Sequence, residues 1–214
     1  MVPLACIVCN GELRSAMRAR QLAASADLLI AANGGAAHLA AMGLTPHAII
    51  GDSDSLARDP WPGDAGIARI LFPAEKDRSD AELAVEWAFA KGAQRVLLLA
   101  GMGGRVDHAL ANCAILFRYH GRLGLWDDGF LLVAVAAGGQ VVIETARNAV
   151  VSLIPFTRAS RARATGLKYA LDGATLRHAS HGLSNAAVAE QCTVAVLKGS
   201  LIVGVEGACA WSTR

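Results

Sequence analysis

Nowhere do the 214 residues hold an apolar run approaching the ~18 that a membrane-crossing helix needs. The opening Met1-Val2-Pro3-Leu4 also lacks the basic and apolar stretches of a secretory signal. These absences predict a cytoplasmic protein with no membrane partner. An excess of one charge is missing too. With 20 basic and 18 acidic residues the formal net charge is +2, too balanced to suggest nucleic-acid binding from charge alone. The five cysteines are odd in number, and no second Cys or His pair at ligand spacing completes Cys6-Ile-Val-Cys9. That C-x-x-C lies in an apolar strand pattern, which argues against a redox or zinc role. A Gly-Lys-Ser or Gly-Lys-Thr phosphate loop is absent. The glycine stretch 101–104 is followed by Val106 where a dinucleotide fingerprint needs its third glycine.

What is present is ample apolar material, 54% of the residues, enough for one or two domains with a substantial core. Charge is unevenly spread. Residues 51–82 carry eight of the 18 acids, whereas 158–178 carry five bases against Asp172 alone. One region suits a metal and the other an anion. At the centre of the acidic region, Gly51-Asp52-Ser53-Asp54-Ser55 follows the apolar run Ala48-Ile49-Ile50. Alternate residues of an extended segment point the same way, so Asp52 and Asp54 can converge on one hard cation such as Mg²⁺. An acidic turn capping a helix would use the same residues.

In chain order, 4–9 reads as a strand, 12–24 as a helix and 27–31 as a second strand. Asn33-Gly34-Gly35 then turns into a helix over 36–42, and glycines at such a turn let backbone N–H groups approach a phosphate. Residues 58–66 are rich in Pro, Gly and Asp and read as an exposed loop near the acids. After a short strand at 70–72, Glu75-Lys76-Asp77-Arg78-Ser79-Asp80-Ala81-Glu82 contains the S-x-x-E capping box, which starts a helix at Asp80. The helix dipole favours a carboxylate at Asp80 even without a catalytic role. A strand at 95–100 leads through Gly101-Met102-Gly103-Gly104-Arg105-Val106-Asp107-His108 into a helix over about 109–119. This order can form an anion site, with Arg105 making bidentate phosphate contacts and Asp107 supporting a metal or orienting Arg105. His108 reads as a site residue or a local hydrogen-bonding group.

Beyond Gly121 the pattern changes to short β-rich runs at 130–136, 140–143, 150–154, 165–171, 174–178, 193–197 and 201–205, separated by turn residues. Asp172-Gly173 is the expected hairpin turn between two of them. The fold class expected is an α/β N-terminal domain with a mainly parallel sheet, residues 1–125, followed by a C-terminal antiparallel β-sandwich domain, residues 126–214.

Taken together the motifs resemble those of the thiamine pyrophosphokinases along nearly the whole chain. The matching stretches are Asn33-Gly34-Gly35-Ala36-Ala37-His38-Leu39, Gly51-Asp52-Ser53-Asp54-Ser55, residues 75–83, Gly103-Gly104-Arg105-Val106-Asp107-His108, Gly166-Leu167-Lys168-Tyr169, Gly182-Leu183-Ser184-Asn185 and Gly199-Ser200-Leu201. Several blocks in the right order are far more specific than any one of them. The resemblance implies transfer of pyrophosphate from ATP to thiamine by a homodimer with sites between subunits, a catalytic first domain and a thiamine-binding, dimer-forming second one. The chain departs from the family pattern at Asn33, where Asp is common, at Ser53, often Phe, and at Ala186, often an acid.

On this reading Asp52, Asp54 and Asp80 hold Mg²⁺, while Asn33, Gly34, Gly35, Lys76, Asp77, Arg78, Gly103, Gly104 and Arg105 bind ATP. Ser184 and Asn185, with Asp80, take the thiamine. Asp80 or Asp107 could accept the hydroxyl proton, although a loose transition state needs positioning more than deprotonation. Trp211 reads as packing more readily than as a stacking surface. Two other functions fit the motifs: a diphosphokinase for a pterin or other heteroaromatic alcohol, and a non-catalytic nucleotide or thiamine sensor.

Overall fold

The computed structural model describes residues 2–52, 59–64 and 66–213. The chain divides into two compact units, Met1–Ile115 and Leu116–Arg214.

In the first unit, strands β1 (Val2–Val8), β2 (Leu28–Ala32), β3 (Ala48–Gly51), β4 (Ala68–Leu71) and β5 (Ala93–Leu99) alternate with helices α1 (Ala16–Ala24), α2 (Gly35–Ala41) and α3 (Asp80–Ala90). Helix α4 (Val106–Arg118) follows β5. The strands are parallel and lie in the order β4-β3-β2-β1-β5. Their sequences are apolar runs because both sheet faces are covered: Ala5, Cys6, Ile7 and Val8 of β1 are each 0% exposed, as are Val96, Leu98 and Leu99 of β5. In register, Ile7 lies between Ile30 on one side and Leu98 on the other. The chain leaves β1 toward one edge and returns on its far side as β5. The strand order therefore reverses beside β1, which in such sheets opens a crevice at the carboxyl ends.

Helix α1 begins at Ala16 and not near residue 12. Gly11 explains the delay. Its N–H donates to the Ala100 carbonyl at 2.9 Å, and a Cβ there would overlap that oxygen and lie 2.6 Å from the Gly103 carbonyl oxygen. Residues 10–15 are thereby committed to a loop against the exit of β5. Helix α3 begins as the capping box requires: Ser79 has extended backbone and its hydroxyl accepts the Glu82 N–H at 3.2 Å.

The second unit is antiparallel β structure, with no helix after α4 among the described residues. Its strands are β6 (Leu123–Asp127), β7 (Phe130–Ala136), β8 (Gln140–Glu144), β9 (Val150–Pro155), β10 (Ala159–Thr165), β11 (Leu171–Arg177), β12 (Asn185–Ala186), β13 (Gln191–Lys198), β14 (Ser200–Glu206) and β15 (Trp211–Thr213). They form two arrays, β12-β9-β14-β7-β6 and β11-β10-β13-β8-β15. Trp211 is 3% exposed and its indole N–H donates to the Gly121 carbonyl, so it packs the core.

Three expectations for this half change. Residues 121–129 hold strand β6, joined to β7 by Asp128-Gly129, both at positive φ as a two-residue hairpin demands. Residues 159–165 are a strand, although their sequence is rich in Arg and Ala. Ala162 and Ala164 point inward while Arg161 and Arg163 lie outside, a two-residue period carried by side chains too small to register as apolar. Asp172-Gly173 is not a hairpin turn but lies inside β11. Gly173, at φ +70, falls beside the register shift between Ala162 and Ala164, the signature of a bulge. The turn comes earlier, after Gly166 at φ +77, where a Cβ would overlap the Gln191 carbonyl oxygen. Gly166→Ala is expected to destabilise the protein by roughly 1–3 kcal/mol, read from the urea midpoint.

All five cysteines are free thiols, and four are buried. Burial, then the Asp80 charge, pushes Cys9 up to about 12, and burial pushes Cys192 up to about 11. Burial raises Cys6 and Cys113 as well. At pH 8 a thiol reagent such as Ellman's should therefore label Cys209 within minutes and the other four only on unfolding. Rapid labelling of more than one thiol in the native protein would contradict this burial.

Candidate active site

The turns that leave the carboxyl ends of the first unit's strands carry most of the chemistry-bearing residues. Close backbone approach builds this edge. Gly35 follows β2, and a Cβ there would overlap the Val8 carbonyl oxygen. A Cβ on Gly34 would overlap the Asn10 side chain, and one on Gly103 would lie 2.5 Å from the Glu12 nitrogen. Glycine at these positions lets the exits of β1, β2 and β5 lie against one another. Two other side chains hold them there. Asn112, only 5% exposed, reaches from α4 to donate to the Gly101 carbonyl at 2.7 Å, and His38 Nε2 lies 2.8 Å from the Gly11 carbonyl oxygen.

Asp80 is the centre of the polar network. It stands in the first turn of α3, where the helix dipole favours a carboxylate. Asn33, at φ +51 after β2, donates its amide to Asp80 Oδ2 at 2.9 Å. Lys76 Nζ lies 2.9 Å from Oδ1, and both side chains of this ion pair are 16% exposed. Oδ1 is buried, and the Lys76 ammonium is its neighbour at ion-pair distance among the described residues. Of the expected site residues, the structure thus brings Asn33, Lys76 and Asp80 together.

Asp52 is half-buried at the exit of β3. Asp54 lies outside the described residues, and among the described residues no group of three or more potential metal ligands assembles. Asp77 is exposed, and Arg78 pairs with Glu86 on α3. Gly103 and Gly104 belong to the β5 exit. Arg105 there makes a two-point contact with Asp107 through Nε at 3.1 Å and Nη2. Asp107 also accepts the His108 backbone N–H, and these bonds, Arg105 first, pull its carboxyl down to about 2. Both side chains of the pair are exposed.

Two other acids of the 51–82 region are engaged structurally. Asp59 binds Arg69 through both Nε and Nη2, and Asp64 accepts the Gly66 N–H. Arg69 also donates to the carbonyls of Trp61, Asp64 and Ile67, tying this segment to β4.

In the second unit, Ser184 is exposed at φ +58 just before β12. Asn185 is buried, and its amide is engaged by backbone: Oδ1 accepts from the N–H of Tyr169 and Ala186, and Nδ2 donates to the Tyr169 carbonyl. Tyr169, 63% exposed, is thereby presented on a fixed backbone with Lys168 Nζ 5.5 Å from its ring centre.

Asn10 and Asn112 are the site-forming residues that motif reasoning passes over, and His38, though inside a matching stretch, is given no role by it. Asn112 carries a signal, since it is a lone amide on an otherwise apolar helix face. His38 and Asn10 have none without the strand order.

A parallel α/β unit with polar residues gathered at its strand ends, followed by an antiparallel β unit, is an arrangement shared with a family of transferases, and the sequence holds no Gly-Lys-Ser or Gly-Lys-Thr phosphate loop. The chain belongs to the thiamin pyrophosphokinase family of enzymes: the family's catalytic-domain model matches residues 19–124 and its vitamin B1 binding-domain model matches residues 140–201. A thiamine pyrophosphokinase of Bacillus subtilis is 27% identical over 183 residues, covering 82% of this chain and 86% of that protein. The crystal structure of thiamin pyrophosphokinase from Geobacillus thermodenitrificans superposes with a TM-score of 0.78 at 26% identity, over 95% of this chain and 97% of the other. That of the Candida albicans enzyme shares the fold, with a TM-score of 0.72 at 13% identity, over 96% of this chain and 89% of the other.

Replacing Arg105 by Gln removes the first cause of the low Asp107 value. The Asp107 carboxyl, followed by NMR, should then titrate in the ordinary range near 4 instead of near 2. An unchanged midpoint would mean that Arg105 does not hold Asp107 in solution.

Proposed function

We propose that this chain transfers a pyrophosphoryl group from ATP to the hydroxyl of thiamine, giving thiamine diphosphate and AMP. The new bond joins the thiamine oxygen to the β-phosphorus; the bond that breaks joins that phosphorus to the oxygen retained by AMP, and the hydroxyl proton is released. The observation that carries the reading is Asp80, a carboxylate in the first turn of α3, oriented by Asn33 and charge-balanced by Lys76 at the strand-exit edge.

Such a carboxylate suits Mg²⁺, which is commonly held by one or two carboxylates plus water and substrate phosphates. Asp80 and Asp52, with Asp54, would hold it. When bound, Mg²⁺ supplies charge neutralisation to phosphate oxygens around the transferred group. The chain's own residues do the rest. Arg105, released from Asp107, makes a bidentate contact to phosphate, and Lys76 adds a second cation. Arg78 contributes likewise when it leaves Glu86. Asp77 and the turns at Asn33, Gly34, Gly35, Gly103 and Gly104 line the nucleotide. In a loose transition state positioning of the thiamine hydroxyl matters more than its deprotonation, and Asp80 or Asp107 accepts its proton. Ser184 offers a hydrogen bond to the aminopyrimidine. Asn185 holds the backbone of Tyr169, whose exposed ring offers a stacking face to a cationic heteroaromatic substrate. The protein works as a cytoplasmic homodimer, with residues 1–125 catalytic and 126–214 binding thiamine and forming the dimer.

Incubation with Mg-ATP and thiamine should yield AMP and thiamine diphosphate in equal amounts. ADP with thiamine monophosphate, or no thiamine product, would overturn the assignment. Asp80→Asn and Asp54→Asn are each expected to lower AMP formation about a hundredfold or more while the far-ultraviolet circular dichroism stays unchanged.

A further inference from the structure

The contact between Lys76 and Asp80 differs from an ordinary surface ion pair in three respects. Its partners are each only 16% exposed, so solvent screens their attraction weakly. The two oxygens of Asp80 are also treated differently. Oδ2 is oriented by a neutral donor, the Asn33 amide, whereas Oδ1 faces a positive charge 2.9 Å away. Finally, Lys76 precedes the Ser79 cap, so the i,i+4 spacing is set by the turn into α3 and not by helical geometry. Its charge is carried on a flexible four-carbon stem, able to change partner without moving the backbone.

We propose that Lys76 is a resident stand-in for the divalent cation: in the nucleotide-free protein its ammonium balances Asp80 Oδ1, and it moves to a substrate phosphate when metal and nucleotide bind together. The inference rests on the Mg²⁺-dependent reading given above. A charged lysine against Oδ1 competes with free Mg²⁺ and disfavours metal loading in the absence of nucleotide. A triphosphate offers the ammonium a new partner, so nucleotide and metal assist each other's binding. Asn33 keeps the carboxylate aimed throughout, because a neutral donor on Oδ2 does not compete for the metal's place on Oδ1. Lys76 is in this sense a positioning residue that couples two ligands.

The test is Mg²⁺ binding to the full-length protein without nucleotide, measured by isothermal titration calorimetry for the wild type, Lys76→Met and Lys76→Arg. Lys76→Met should bind Mg²⁺ at least about tenfold more tightly than wild type, since the competing charge is gone. Lys76→Arg should stay within about threefold of wild type. In the wild type a non-hydrolysable ATP analogue should tighten Mg²⁺ binding more than it does in Lys76→Met. Should Lys76→Met fail to fold by circular dichroism, Lys76→Gln carries the same comparison. Mg²⁺ affinity that is equal, weaker or undetectable in the neutral variant overturns the proposal. Wild-type turnover of Mg-ATP and thiamine distinguishes the two levels: turnover with no gain in Mg²⁺ affinity sinks the inference alone. A gain in affinity without thiamine turnover sinks the functional reading and leaves the cation competition standing.

Discussion

The site depends on backbone approaching backbone more closely than a side chain permits. Gly11, Gly35 and Gly103 each occupy a place where a Cβ would meet another segment's main chain: the Ala100 carbonyl, the Val8 carbonyl and the Glu12 nitrogen. With glycine there, the exits of three parallel strands draw into one edge, and Asn33 arrives within hydrogen-bonding distance of a carboxylate from the start of α3. Parallel strands order such an edge well, since every strand ends on the same side and reversal of the strand order beside β1 leaves a crevice. The network around Asp80 is thus a product of sheet topology before it is a product of electrostatics.

Charge then differentiates acids that look equivalent along the chain. Asp59 and Asp64 organise the segment ahead of β4 through Arg69 and a backbone N–H. Asp107 is matched to Arg105 on an exposed surface, where solvent weakens the pair and either member is available to other partners. Asp80 combines low exposure, a neutral orienting donor on one oxygen and a cation on the other. Its influence extends to the nearby Cys9 thiol, which its charge helps to raise. Local density of carboxylates is therefore a poor guide to which one can receive a ligand.

Much of the fold was legible because periodicity and caps act locally. Apolar runs named the buried parallel strands, and Ser79 with Glu82 marked the start of α3. Strand β10 was hidden because alanine carries its buried face and arginine its exposed one, a pattern that resembles a solvated basic segment until the alternation is checked. The bulge at Gly173 imitated a turn for a similar reason: a glycine at positive φ serves either feature, and only the pairing partner decides. As to the site, Asn33, Lys76 and Asp80 each stand out in the sequence, and the structure brings them together. Their meeting could not be read from spacing, since it is the neighbouring exits of β2 and β4 around β3 that bring them near. His38 and Asn112 act through backbone carbonyls, which carry no sequence signature of their own.

The amide of Asn185 grips both the N–H and the carbonyl of Tyr169, while the side chains of Lys168 and Tyr169 take no part in that grip. Scaffold and display are therefore separable in this loop. Whatever ring or charge is mounted at positions 168 and 169 can drift over evolutionary time without loosening the support beneath it, whereas the supporting asparagine is constrained by main-chain geometry that every occupant shares. Such a division lets a lineage exchange the mounted groups while the loop's backbone keeps its shape.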